Sequence, residues 1–298
     1  MNRDYEVGGH RFRVTGAGIT AALDCLTGFR PFLTDKPVAL SIPGSNAAEP
    51  EFIFREGEQS QIPALHRLLY PFQYEDISST FGKTADDCYL LGLHPAGEEP
   101  LRLWTECGSG ECRLYGNLSP RLLRFALWMG FGIMTAWHGT VAVHSSCIVY
   151  RGKAVLFLGE SGTGKSTHTR LWREHIAGST LLNDDSPIVR CEGGGLWVYG
   201  SPWSGKTPCY KAERYPLAGC VRLSQASGNS IRRLDTMRGF AAFHPSTPPA
   251  FAYDGRLYDG ICATMNGLLP SVPVYHLSCL PDRAAAELSC HTLFGEMV

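Results

Sequence analysis

The stretch Gly159-Glu160-Ser161-Gly162-Thr163-Gly164-Lys165-Ser166 decides how the rest of this 298-residue chain is read. Glycine stands at its first and sixth positions, followed by Lys and Ser. Glycines let successive backbone N–H groups turn inward around an anion. A helix beginning at the lysine aims its positive end at the same anion. In such a loop the lysine reaches the β- and γ-phosphates and the hydroxyl lies on Mg²⁺. The flanks agree with this reading. AVLFLG, residues 154–159, is apolar throughout, as in a strand buried on both faces. STHTRLWREHIA, residues 166–177, has helical spacing with Leu171, Trp172 and Ile176 on its apolar side. The expectation is ATP with Mg²⁺, held by Gly159, Glu160, Ser161, Gly162, Thr163, Gly164, Lys165, Ser166 and Thr167.

The pair Asp184-Asp185 lies 19 residues beyond Lys165, inside the apolar run STLLNDDSPIV, residues 179–189. Two carboxylates in a buried strand are costly unless their charge is offset. A divalent metal offsets it, one carboxylate holding Mg²⁺ and the other accepting a hydroxyl proton. A strand end emerging into solvent is the plainer alternative. His144 stands 15 residues before Gly159 on the preceding strand. The Pro- and Gly-rich loop 200–217 carries Lys206, a candidate to stabilise charge on a transferring phosphoryl group. Trp203 could wall the same pocket. Arg214, Arg222, Arg232 and Arg233 compete with Lys206 for its role.

Composition bounds the partners. The chain is 44% hydrophobic and 18% charged with a formal net charge of -1, a globular balance. No charge field draws nucleic acid or a membrane surface. The 11 cysteines are scattered and form no CxxC, so most read as reduced, buried hydrophobes of a cytoplasmic protein. The start shows no apolar leader segment, and the most apolar window, residues 125–137, is too short to span a bilayer.

The first 116 residues read as short strands. They include a hairpin around Gly8-Gly9 and strands at 38–43, 51–56, 86–94, 101–107 and 111–116. Ser119-Pro120 suits a helix start, and a buried helix follows over 120–137. Strands are expected at 140–150, 154–159, 179–189, 196–200, 220–223 and 230–234, and a last helix at 281–294. This is an α/β chain with a β-rich region over 1–118 and a nucleotide-binding domain over 119–298.

The order His144, strand, GESGTGKST, helix, LLNDDSPIV resembles the catalytic domain of the HPr kinase/phosphorylase family and its relative, ATP-dependent phosphoenolpyruvate carboxykinase. The resemblance covers residues 138–225. That group places its phosphate loop mid-chain, behind a separate N-terminal region. It implies a P-loop kinase core with a mixed sheet, ATP and Mg²⁺ as cofactors, and a homo-oligomer. It also implies that Lys165 and Ser166 hold phosphate and Mg²⁺. Asp184 would lie nearest the acceptor hydroxyl and Asp185 on the metal side. His144 would orient Asp184 or approach a second metal. The glycine- and isoleucine-rich signature that follows the Asp pair in HPr kinases is replaced here by YGSPWSGKTPCYK. The expected reaction is therefore transfer of the γ-phosphoryl group to a serine-type hydroxyl on a protein, a peptide or free serine. Two alternatives stay open: a carboxykinase-like enzyme for a small carboxylate, and a nucleotide-binding sensor or assembly protein. A transporter-type ATPase is excluded, because LSQASGNS at 223–230 is a poor match to the LSGGQ segment such proteins need.

Overall fold

The computed structural model describes residues 2–34, 50–105, 110–205 and 207–295. The strand expected at 38–43 and the candidate Lys206 lie outside the described residues. The chain divides into two units, Met1–Met134 and Thr135–Val298.

The first unit contains β1 (Asn2–Val7), β2 (His10–Thr15), α1 (Ala17–Asp24), β3 (Phe52–Glu56), β4 (Arg67–Tyr74), β5 (Ile77–Lys83), β6 (Tyr89–His94), β7 (Leu101–Thr105), β8 (Glu111–Gly116) and α2 (Pro120–Thr135). Its strands form one sheet in the order β1-β2-β3-β8-β7-β6-β5-β4, parallel at β2–β3 and β3–β8 and antiparallel elsewhere. The expected hairpin is present, with Val7 opposite His10 and both turn glycines at positive φ. Phe12, Phe52 and Phe54 pack as an aromatic cluster with Phe131 of α2. Gly130 lets the helix approach closely, since a Cβ there would meet the Phe54 ring at 2.6 Å. This packing accompanies the grouping of α2 as far as Met134 with the first unit.

The second unit contains β9 (Thr140–Ala142), β10 (Ser145–Tyr150), β11 (Lys153–Leu158), α3 (Lys165–His175), β12 (Thr180–Asp185), β13 (Ile188–Glu192), β14 (Gly195–Tyr199), β15 (Arg214–Gln225), β16 (Ser230–Arg233), α4 (Thr236–Phe243), α5 (Gly255–Leu268), β17 (Val274–Cys279) and α6 (Arg283–Phe294). The strand order is β12-β10-β11-β15-β14-β13-β9, with β17 beside β15 and β16 beside β17. The pairings β11–β15 and β15–β17 are parallel and the others antiparallel, so the sheet is mixed. β15 joins two parts of it. Its first residues pair with β14 and the rest with β11 and β17.

Two strands expected to be continuous are each broken. The 140–150 run divides into β9 and β10 at Val143-His144, and the 179–189 run into β12 and β13 at Ser186-Pro187. The breaks lie side by side, because the Val143 N–H donates to the Pro187 carbonyl at 3.0 Å. On one side of them β9 pairs with β13, and on the other β10 pairs with β12. Pro187 has no N–H to continue a ladder, which favours the interruption there.

The core beside the loop is built from Phe157, Trp172, Leu181, Val221, Leu277 and Cys290, all buried. Nine described cysteines are free thiols, several of them buried. Cys88 is disulfide-bonded, which the sequence does not signal. No described helix is long and apolar enough to cross a membrane.

Candidate nucleotide and phosphoryl-transfer site

The loop leaves β11 at Leu158 and enters α3 at Lys165. Gly162 and Gly164 hold φ of 83° and 100°, backbone that side chains rarely adopt. The Thr163 hydroxyl donates to the Glu160 carbonyl at 2.8 Å and closes the turn. The Lys165 ammonium reaches back across the loop and donates to the Gly159 and Glu160 carbonyls at 2.8 and 3.1 Å.

The topology brings the other expected residues to the same end of the sheet. β10 runs antiparallel to both β11 and β12, so its start lies beside their ends, with Ser145 opposite Leu158 and Asp185. His144 precedes β10, and its N–H donates to the Ser246 carbonyl at 2.7 Å. Its ring joins two expected site residues. Lys165 Nζ lies 3.0 Å from His144 Nε2, and His144 Nδ1 lies 3.1 Å from Asp185 Oδ1. An ammonium can only donate, so Nε2 accepts and Nδ1–H donates to Asp185. The two bonds thus select one neutral tautomer of His144.

Asp184 stands apart from this chain. It is 5% exposed, and it accepts a hydrogen bond from the Ser166 hydroxyl at 3.0 Å. Asp185 and His144 are more open, their side chains 32% and 46% exposed. The Asp pair is held from behind by residues 201–205. Asn183 donates to Ser201 and Trp203, Gly205 N–H donates to the Asp184 carbonyl, and Asp185 bridges to Ser204. Trp203 is 2% exposed, buried within this support.

Burial lowers the Lys165 pKa from the ordinary lysine value; Asp185 and Asp184 oppose that, and Arg222 adds to it. Of the four arginines considered, Arg222 is beside the loop. It pairs with Leu158 across β15–β11 and donates to Glu160 Oε1 and the Ala242 carbonyl, each at 3.3 Å. Arg214 is engaged with Glu192 and Tyr199. Arg232 and Arg233 are on β16, which pairs with β17.

The oxygen donors suit Mg²⁺. Ser166 supplies a hydroxyl, Asp184 and Asp185 supply carboxylates, and Mg²⁺ is commonly held by one or two carboxylates plus substrate phosphates. No group of three or more His, Cys, Asp or Glu among the described residues is arranged to hold a metal by itself.

Behind the loop, His168 of α3 is buried. It donates to the Ser289 hydroxyl, which also accepts from Trp172 Nε1 and itself donates to the Ala286 carbonyl. Burial disfavours the charged imidazolium and pushes the His168 pKa down to about 4. The unfolded imidazole binds a proton near pH 6.5, so between pH 6.5 and 4 the unfolded state carries more protons than the folded one. Stability is then retained above pH 6.5 and falls on acidification through that window, by up to about 3 kcal/mol from this group. Urea midpoints at pH 7 and pH 4.5 measure the loss. His168→Gln is expected to flatten part of the slope.

No family model matches the chain. No curated protein matches it either. Among solved structures 44 chains match. One is the HPr(Ser) kinase/phosphatase from Coxiella burnetii, with a TM-score of 0.30 and 12% identity over 51% of this chain and 92% of that one. A similarity that low assigns no activity to the chain.

The structure therefore gathers Lys165, Ser166, His144, Asp184 and Asp185 at one end of one sheet. No sequence pattern singles out Arg222 among the arginines, since strand pairing is what puts it next to the loop. Gln225, which donates to the Gly162 carbonyl at 3.1 Å, is marked by no motif.

Proposed function

We propose that the chain is a P-loop phosphotransferase, moving the γ-phosphoryl group of ATP to a serine-type hydroxyl on a protein, a peptide or free serine. The observation that carries this reading is the hydrogen-bonded chain Lys165–His144–Asp185 beside the Ser166–Asp184 bond. These contacts support reading Lys165 as the cation, His144 with Asp185 as a proton-accepting pair and Ser166 with Asp184 as the oxygen donors. Lys165 exchanges its loop carbonyls for the β- and γ-phosphates. That frees His144 Nε2, while Nδ1–H stays on Asp185.

The hydrogen bonds support dividing the carboxylates differently from the family resemblance. Asp184, buried and bonded to the loop serine, suits the metal side with Ser166. Asp185, more open and bonded to His144, suits the acceptor hydroxyl and its proton. Mg²⁺ bound there would neutralise phosphate charge. Arg222 is the cation we assign to the phosphate flank in addition to Lys165. Arg222→Gln is expected to weaken ATP and ADP binding alike, by about tenfold, the cost of a charged hydrogen bond on the β15 side of the loop. Competition binding with the two nucleotides checks this.

The primary test is incubation of the full chain with Mg²⁺ and γ-labelled ATP, with free serine and with a cell extract of its source. Label should pass to serine or to a protein band. Tight ATP binding without transfer to any acceptor would instead support the nucleotide-sensor reading. Absence of ATP binding would remove the basis of both.

A further inference from the structure

A second feature adjoins the loop on the side away from the carboxylates. It is a cleft of about 420 Å³ between the N-terminal turns of α3 and the C-terminal ends of β15 and β17. Its walls include loop residues Gly162 to Gly164, Thr167, the apolar Leu171 and Leu223, and Gln225 with Leu280 at the mouth. Sheet order fixes its relation to the chemistry. β11 carries the loop, β10 and β12 lie on one side of it with His144 and the Asp pair, and β15 and β17 lie on the other.

From this we infer that the cleft is the nucleoside pocket, and that Gln225 selects adenine within it. This rests on the phosphotransferase reading above. Lys165 reaches toward the β10–β12 side, where His144 stands, so the γ-phosphate end of a bound nucleotide points there. The other end must then leave the loop toward β15 and β17, and the cleft is what it meets. Its volume falls in the range of small-ligand pockets, with apolar walls and few polar groups.

The state of the Gln225 amide suggests which base is chosen. One N–H donates to the Gly162 carbonyl, which steadies the side chain against the loop. An amide carries two N–H donors and a carbonyl acceptor. One donor and the acceptor can thus face a base. Adenine offers a matching pair, an acceptor at N7 and a donor at N6, whereas guanine offers two acceptors, at N7 and O6. Guanine would leave the amide oxygen facing an oxygen.

Calorimetric titration of the full chain with Mg²⁺ and ATP, GTP or inorganic tripolyphosphate separates the parts. The wild-type protein is expected to bind ATP about tenfold more tightly than GTP, the discrimination of a bidentate amide–base pair. Tripolyphosphate should bind more weakly than ATP, through the loop alone. Gln225→Ala should bring ATP and GTP within about threefold of each other and leave tripolyphosphate unchanged. Ala226→Trp, which fills the mouth from an exposed position, should weaken both nucleotides and spare tripolyphosphate. Unchanged tripolyphosphate binding shows that each variant is folded. If tripolyphosphate binds as tightly as ATP and neither variant matters, the cleft is not the nucleoside pocket and the loop assignment survives. If ATP discrimination persists in Gln225→Ala, the base is read elsewhere. If neither ATP nor tripolyphosphate binds, the proposed function falls with the inference.

Discussion

Lys165→Ala leaves the second unit folded and reduces phosphoryl transfer by at least about a thousandfold, some 4 kcal/mol of transition-state stabilisation. The fold is expected to persist because, among the described residues, the Lys165 ammonium bonds to two loop carbonyls and the His144 ring. None of these partners belongs to the Phe157–Trp172–Val221 core. The rate suffers for two reasons. The ammonium is the cation that the loop directs at the phosphate chain, and half-burial strengthens its electrostatic effect there. Its loss also releases one of the two hydrogen bonds that select the His144 tautomer. Initial rates with γ-labelled ATP, beside a thermal melt of both proteins, measure the effect. Transfer within tenfold of the wild type would remove Lys165 from the mechanism.

The second large effect distinguishes the adjacent carboxylates. Asp185→Asn should lower kcat by about a hundred- to ten-thousandfold, the range for loss of a positioned proton acceptor. The Mg²⁺ concentration for half-maximal rate should change little. Asp184→Asn should raise that Mg²⁺ concentration, because it replaces the carboxylate bonded to the loop serine by a neutral amide. The reverse pattern would restore the division implied by the family resemblance. If the chain is a nucleotide sensor, Asp185→Asn leaves its nucleotide-dependent output intact.

Much of the site is legible in the sequence because its parts are local. The loop is a run of special backbone angles that glycine alone supplies cheaply, and its flanking strand and helix follow from apolar periodicity. The Asp pair is visible because charge inside an apolar run demands an explanation. The pairing of His144 with Asp185, and of Ser166 with Asp184, is set by strand register, which no single segment encodes. The same holds for Arg222 and Gln225, which reach the loop only because β15 pairs with β11. The missed helices were signalled weakly. α4 and α5 are capped by Asp235 and Asp254, whose carboxylates accept from Arg238 and Leu257 N–H groups. Their glycines and scattered aromatics blur the helical period. α1 is short and opens on Gly16 without a side-chain cap. The strand breaks at His144 and Pro187 were hidden because apolar character runs through both segments without change.

Those adjacent breaks decide where the chain tolerates a change of length. In a strand, one added residue turns every following side chain to the opposite face. An insertion between His144 and the middle of β10 would therefore carry the imidazole away from Asp185 even if every bulk property of the protein survived. The tip between β13 and β14 is the opposite case. Gly193 and Gly194 stand in open space, and extra residues there leave both registers untouched. That hairpin can be lengthened freely, while the spacing around His144 is held to the residue.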